Sequence, residues 1–138
     1  MTTMESAILR NLKKTYCRLQ PSTISGIGVF AVRDIPASTD PFPVIRKEKW
    51  ALISSSKLKG LDKQVLRMIE DFHVRENAGS IWISDAALNG VNISFFVNHS
   101  NRPNLRHTPS ADFLTMRKIK KGEELTAAYE TYDHKWGK

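Results

Sequence analysis

Three short stretches carry residue types suited to work on a small ligand. Gly26-Ile27-Gly28-Val29-Phe30-Ala31 opens with two glycines one residue apart. The backbone there can bend sharply and come close to a bound group. Phe96-Val97-Asn98-His99-Ser100, followed by Pro103-Asn104, sets an amide and an imidazole directly after an apolar run. That supplies a donor, an acceptor and a titratable ring at the edge of a core. Gly122-Glu123-Glu124-Leu125-Thr126-Ala127-Ala128-Tyr129 ends a β-type segment on a phenol. A phenol donates or accepts a hydrogen bond and stays neutral up to about pH 10.

Each stretch also has an ordinary structural reading. Paired glycines make turns, a single histidine after an apolar run is commonly a hydrogen-bonded core residue, and a strand tyrosine commonly packs with its hydroxyl satisfied. The glycine pair is not a dinucleotide fingerprint, because no third glycine follows at the required spacing and no βαβ unit surrounds it. His73, His99, His107 and His134 show no ligand spacing, and Cys17 is the single cysteine. No metal site and no internal disulfide are therefore expected.

Taken together and in this order, the three stretches resemble the SET-domain family of protein lysine methyltransferases. The resemblance runs from about Tyr16 to the C-terminus. Without zinc-binding flanks, the chain is similar to the small single-domain bacterial and viral members. The resemblance implies S-adenosylmethionine as cofactor and transfer of its methyl group to the side-chain amine of a lysine in a protein substrate. It implies cofactor contacts from Gly26, Ile27, Gly28, Asn98 and His99, and a catalytic role for Tyr129. Phe96, Tyr132 and Trp136 are candidate walls of the lysine channel, with Trp136 alternatively assigned to the cofactor as a ring stacked on adenine. The Asn-His stretch is expected to thread beneath another segment in a knot-like arrangement, and the three stretches to surround one cavity. The chain holds no cysteine segment to close the channel with zinc, so its own tail, a partner or a second copy is expected to do so. A homodimer is one such arrangement.

The chemistry makes demands of its own. A lysine ammonium, with an ordinary pKa near 10.4, has no lone pair and cannot attack. An apolar channel favours the neutral amine by desolvation, and aromatic walls favour the methylammonium product.

The elements that must position these residues read as a β-rich α+β domain of many short strands. Strands are expected over Thr15 to Leu19, Val29 to Val32, Ile81 to Ile83, Asn104 to His107, Asp112 to Ile119 and Leu125 to Tyr129. Gln20-Pro21-Ser22 should stop the first of them. Pro36 to Pro43 holds three prolines and reads as loop or edge. Val44-Ile45 reads as a short extended piece, and Lys47 to Ser54 as a helical turn around Trp50. Leu61, Val65, Met68, Ile69 and Phe72 recur at helical spacing, which predicts one main helix over Leu61 to Arg75 with this stripe in the core. Met4 to Leu12 suits a short amphipathic helix or a fraying end. The expected organisation is an N-terminal segment over residues 1–14 and a SET domain over 15–138. A variable insert at about 47–85 would carry substrate choice.

The 138 residues are 41% hydrophobic and 25% charged, which fits a packed domain and argues against disorder. The net charge of +7 suits a negatively charged partner or a complex containing nucleic acid. Expected substrates are therefore chromatin (as for a histone-lysine methyltransferase), ribosomal or other proteins, with nucleic acid contacted only indirectly. The competing reading is a non-catalytic, basic SET-like binding module that contacts nucleic acid or chromatin. The first residues lack the apolar core of a secretory signal, and no run approaches the ~20 apolar residues of a membrane span. An intracellular protein is expected: cytoplasmic in a prokaryote, nuclear in a eukaryotic or viral setting, not secreted and not in a membrane.

Overall fold

A computed structural model describes residues 2–43, 48–109 and 113–133. The described residues form two sheets and two α-helices. The larger sheet holds β1 (Cys17–Pro21), β2 (Ile27–Ala31), β6 (Asn98–His99), β7 (Leu105–His107), β8 (Phe113–Thr115) and β9 (Glu124–Ala127). The smaller sheet has the order β3 (Trp50–Ser54), β5 (Ser80–Ser84), β4 (Arg75–Asn77). The helices are α1 (Thr3–Leu12) and α2 (Lys63–Phe72). Among the described residues no helix is long and apolar enough to cross a membrane.

The last strand, β9, lies inside the larger sheet. It pairs antiparallel with β2 (Val29 opposite Leu125) and parallel with both β6 (His99 opposite Ala127) and β7 (Leu105 opposite Ala127). Asn104 locks this arrangement. Its side-chain oxygen accepts the Thr126 N–H at 2.8 Å and its side-chain nitrogen donates to the Glu124 carbonyl at 2.8 Å, so the amide replaces a strand backbone where β7 falls short. A buried asparagine satisfied on both ends fixes register as a strand pair does.

Val29, Ile35, Leu105, Ile119 and Leu125 are at most 1% exposed and form the centre of the main core. Burying each of these side chains stabilises the fold by roughly 1.5–3 kcal/mol. The core thus grips both sides of β9 and holds the segments that carry the three sequence motifs.

Several expectations shift. β1 runs through Gln20 and Pro21 rather than stopping before them, because β1 is an edge strand and a proline on the open edge removes no ladder bond. Trp50–Ser54 is a strand, not a helical turn, since all five residues pair with β5. α2 is shorter than Leu61 to Arg75. Asp62 caps it by accepting the Gln64 N–H at 2.8 Å, and it ends at His73 because β5 recruits the following residues: Trp82 N–H bonds Val74 O at 2.9 Å. Leu61 and Met68 are exposed, so the inward face is Val65, Leu66, Ile69 and Phe72. β8 ends at Thr115, and Ile119 instead forms an isolated bridge with Ile35; Asp112 lies outside the described residues. β9 stops at Ala127, and Tyr129 opens a 3-10 turn, Tyr129–Thr131. Val44, Ile45 and Lys47 lie outside the described residues.

Candidate functional site

The glycine turn is built by Ser22. Its N–H bonds the Gly26 carbonyl at 2.8 Å, and its hydroxyl accepts from the Ile24 N–H while donating to the Glu124 carboxylate at 2.7 and 2.9 Å. Gly26 sits at φ +44°, where a side chain is strained, and nothing occupies the space where its Cβ would be. Ile27 is half exposed at the rim of this turn. Gly28 is closely approached for a different reason: a Cβ there would stand 2.3 Å from Glu124 Oε2, so that the carboxylate would have to shift.

Asn98 joins this turn to the second motif. Its side-chain N–H groups reach Glu124 Oε2 at 2.9 Å, the Ser25 carbonyl at 3.1 Å and the Ile27 carbonyl at 3.4 Å. His99 then joins the second motif to the third. Its Nδ1 accepts the Tyr129 N–H at 3.1 Å, and its Nε2 lies 3.2 Å from Asn101 Oδ1. With Nδ1 accepting, the proton belongs on Nε2, so the 3.6 Å approach of Glu130 to Nδ1 is not an ion pair in this tautomer. The His99 and Tyr129 rings are 5.2 Å apart, centroid to centroid.

Tyr129 turns its hydroxyl to the Val97 carbonyl and donates to it. The phenol proton is thereby engaged with the backbone. Burial, followed by the charge of Asp133, raises the Tyr129 pKa, so the phenol is neutral across the physiological range. Tyr132 is raised further, chiefly by burial and then by Tyr129, Asp133 and Glu130. It stacks on His107 at 4.7 Å and 15° and meets Phe113 and Tyr129 edge-on.

A cavity of about 930 Å³ is lined by residues of both sheets. Tyr129 and Tyr132 line it, together with Val97, Phe95, Trp50 and Trp82. The charged side chains among its lining residues are Glu70, Asp71, Glu76 and Asp133, all acidic. Phe96, expected as a channel wall, is not among the lining residues; it packs edge-on against Phe72 at 5.6 Å, and its neighbours Phe95 and Val97 face the cavity. Gly26, Ile27, Gly28, Asn98 and His99 do not line the cavity either. The three motifs therefore do not surround this cavity as expected; they form one continuous chain of contacts that meets it at Val97 and Tyr129. Trp136 lies outside the described residues.

Two positioning residues were not singled out from sequence: Glu124, to which Ser22 and Asn98 both donate, and Asn104, which clamps β9. Both belong to quoted motifs, but Glu124 follows Lys121-Gly122-Glu123 and Asn104 lies between Pro103 and Leu105-Arg106, so neither stands out as a polar residue in an apolar run. Trp50, Trp82, His107 and Phe113 reach the cavity from four different strands or their ends, and no local pattern marks them.

A glycine turn and an Asn-His pair, the latter paired with the central last strand β9, are thus linked to a tyrosine that borders an aromatic cavity. The SET-domain family profile matches residues 26–130, and the chain belongs to this family, whose members are generally lysine methyltransferases. No curated protein matches the chain. Among solved structures, a candidate histone methyltransferase from Plasmodium falciparum is similar at 15% identity and TM-score 0.48, over 83% of this chain and 93% of that one.

Proposed function

We propose that this protein is an S-adenosylmethionine-dependent protein-lysine N-methyltransferase with Tyr129 as its catalytic residue. The observation that carries this is the double attachment of Tyr129. Its backbone is held by His99, in line with Asn98 and the glycine turn, while its ring and hydroxyl border the aromatic cavity. The cofactor fits the glycine-turn side. The space beside Gly26 is open, Ile27 is exposed, and the Asn98 amide stands next to the turn, with His99 following it on β6. Gly26, Ile27, Gly28, Asn98 and His99 would hold it there. When bound, it supplies an electrophilic methyl group.

The chain's own residues do the rest. The aromatic walls, Tyr132 among them, take the acceptor lysine out of water and so lower the cost of losing its proton. The Tyr129 oxygen, its proton engaged by Val97, orients the neutral amine by accepting from it. Glu70 is already paired with Arg75, and Asp71, Glu76 and Asp133 attract a positively charged segment and favour the cationic product.

The test is transfer of labelled methyl from S-adenosylmethionine to a proteome extract and to lysine-containing basic peptides, with Tyr129→Phe alongside. Transfer by the native chain, and its loss in a Tyr129→Phe variant that melts normally and still binds cofactor by calorimetry, is the expected result. A folded native protein that neither binds the cofactor nor transfers methyl groups refutes the proposal.

A further inference from the structure

Charge is segregated on this molecule. The cavity carries acidic groups, whereas Lys13, Lys14, Arg33, Arg117, Lys118, Lys120 and Lys121 gather elsewhere, and all seven are exposed. Their proximity is read from contacts rather than from sequence. The Arg33 guanidinium donates to the Lys13 carbonyl at 2.8 Å. Asp34, next in the chain, lies 3.5 Å from Lys118 Nζ and accepts the Lys121 N–H at 2.9 Å. The Lys121 N–H bond, and after it Lys118 and the charge of Lys120, hold the Asp34 pKa below its ordinary value. Glu123 accepts the Lys120 N–H at 2.9 Å and pairs with Arg117 at 2.9 Å. Seven cations therefore face two carboxylates, an excess of five in a chain whose net charge is +7. Of the seven, none lines the cavity.

We infer that this face is a docking surface for the phosphate backbone of double-stranded nucleic acid. Strong positive charge spread over an exposed surface is what phosphate contacts require. Arg33 is prearranged for this: its guanidinium lies 4.1 Å over the Tyr16 ring, which leaves the planar donor group anchored yet exposed. Single strands call for exposed rings on which bases stack. The one ring in contact with these cations among the described residues is Tyr16, and Arg33 covers it. The basic face and the acidic cavity then divide the work: one holds the chain on a nucleic-acid-containing complex, the other is left for a protein segment.

Fluorescence anisotropy with a short labelled DNA duplex, between about 50 and 200 mM salt, tests this. The native protein should bind without sequence preference, its affinity falling roughly a thousandfold over that range if about six phosphates are contacted. The Lys118→Ala/Lys120→Ala/Lys121→Ala variant should bind at least tenfold more weakly at the low-salt end and lose only about 40-fold across the range. A control variant, Lys57→Ala/Lys59→Ala/Lys63→Ala, removes the same charge from the region of the smaller sheet and should bind like the native chain. Methylation of a free peptide, if present, should be equal in all three, which separates this surface from the proposed activity. Equal weakening by both triple variants, preference for a single strand over the duplex, or no binding by the native protein overturns the inference.

Discussion

Gly28→Ala gives the sharpest test of how the first two motifs are joined. The new methyl carbon would stand 2.3 Å from Glu124 Oε2, 2.9 Å from its Cδ and 3.0 Å from Ser22 Cβ. The carboxylate must move, and it is held by the Ser22 hydroxyl at 2.7 Å and the Asn98 amide at 2.9 Å. Hydrogen bonds to a charged acceptor are worth roughly 1.5–3 kcal/mol each, and water can replace part of that at this partly exposed position. A total loss of about 2–3 kcal/mol follows, or ~3–5 °C in melting temperature per kcal/mol for a chain of this size. Gly26→Ala strains φ but meets no atom, so it should cost only about 1 kcal/mol. The cause is isolated by a double-mutant cycle with Glu124→Ala, read by urea unfolding. Once the carboxylate is gone, Gly28→Ala should cost little more, giving a coupling of about 2 kcal/mol. Additivity within about 0.5 kcal/mol would refute the claim that Glu124 is what Gly28 makes room for.

Asn104→Ala leaves the Thr126 N–H and the Glu124 carbonyl without their partner in the middle of the sheet, and should lower unfolding free energy by about 2–4 kcal/mol in chemical denaturation. Asn104→Asp keeps the shape but sets an acceptor against the Glu124 carbonyl, so it should not rescue stability near neutral pH. Burial pushes the Cys17 thiol up to about 12. Its thiolate at pH 8 is then scarcer than that of a free cysteine by roughly a thousandfold, and iodoacetamide should label it only after unfolding; rapid labelling of native protein would contradict the packing. The buried phenols predict an alkaline limb. An unfolded tyrosine titrates near 10, and Tyr129 and Tyr132 titrate higher when folded. Their contribution is therefore complete below about pH 10 and is lost as pH rises above it, as the unfolded chain gives up the protons first. Unfolding free energy measured from pH 8 upward should fall in that window, and less so in Tyr132→Phe.

The turns and the order of the motifs were legible because their signals are local. Gly26 and Gly122 occupy positive φ, which the sequence marks by glycine itself, and the proline-rich stretch at 36–43 stays out of strands for want of N–H groups. Apolar periodicity located α2 but overran its end, since the competitor for Val74 to Asn77 was a strand some residues further on. Trp50–Ser54 was misread for the same reason: five residues carry too little pattern to choose between a turn and a strand until β5 is beside them.

By itself, the sequence determined the residue types available for chemistry, the glycine turn and the β-rich class, because conformational limits and hydrophobic alternation act between near neighbours. Tertiary structure alone decided which of those residues meet. Asn98 finds Ser25 across 73 residues, Ser22 finds Glu124 across 102, and the cavity is walled by side chains from both sheets. Contacts at such separations depend on threading β9 between its neighbours, and no window of sequence contains both partners.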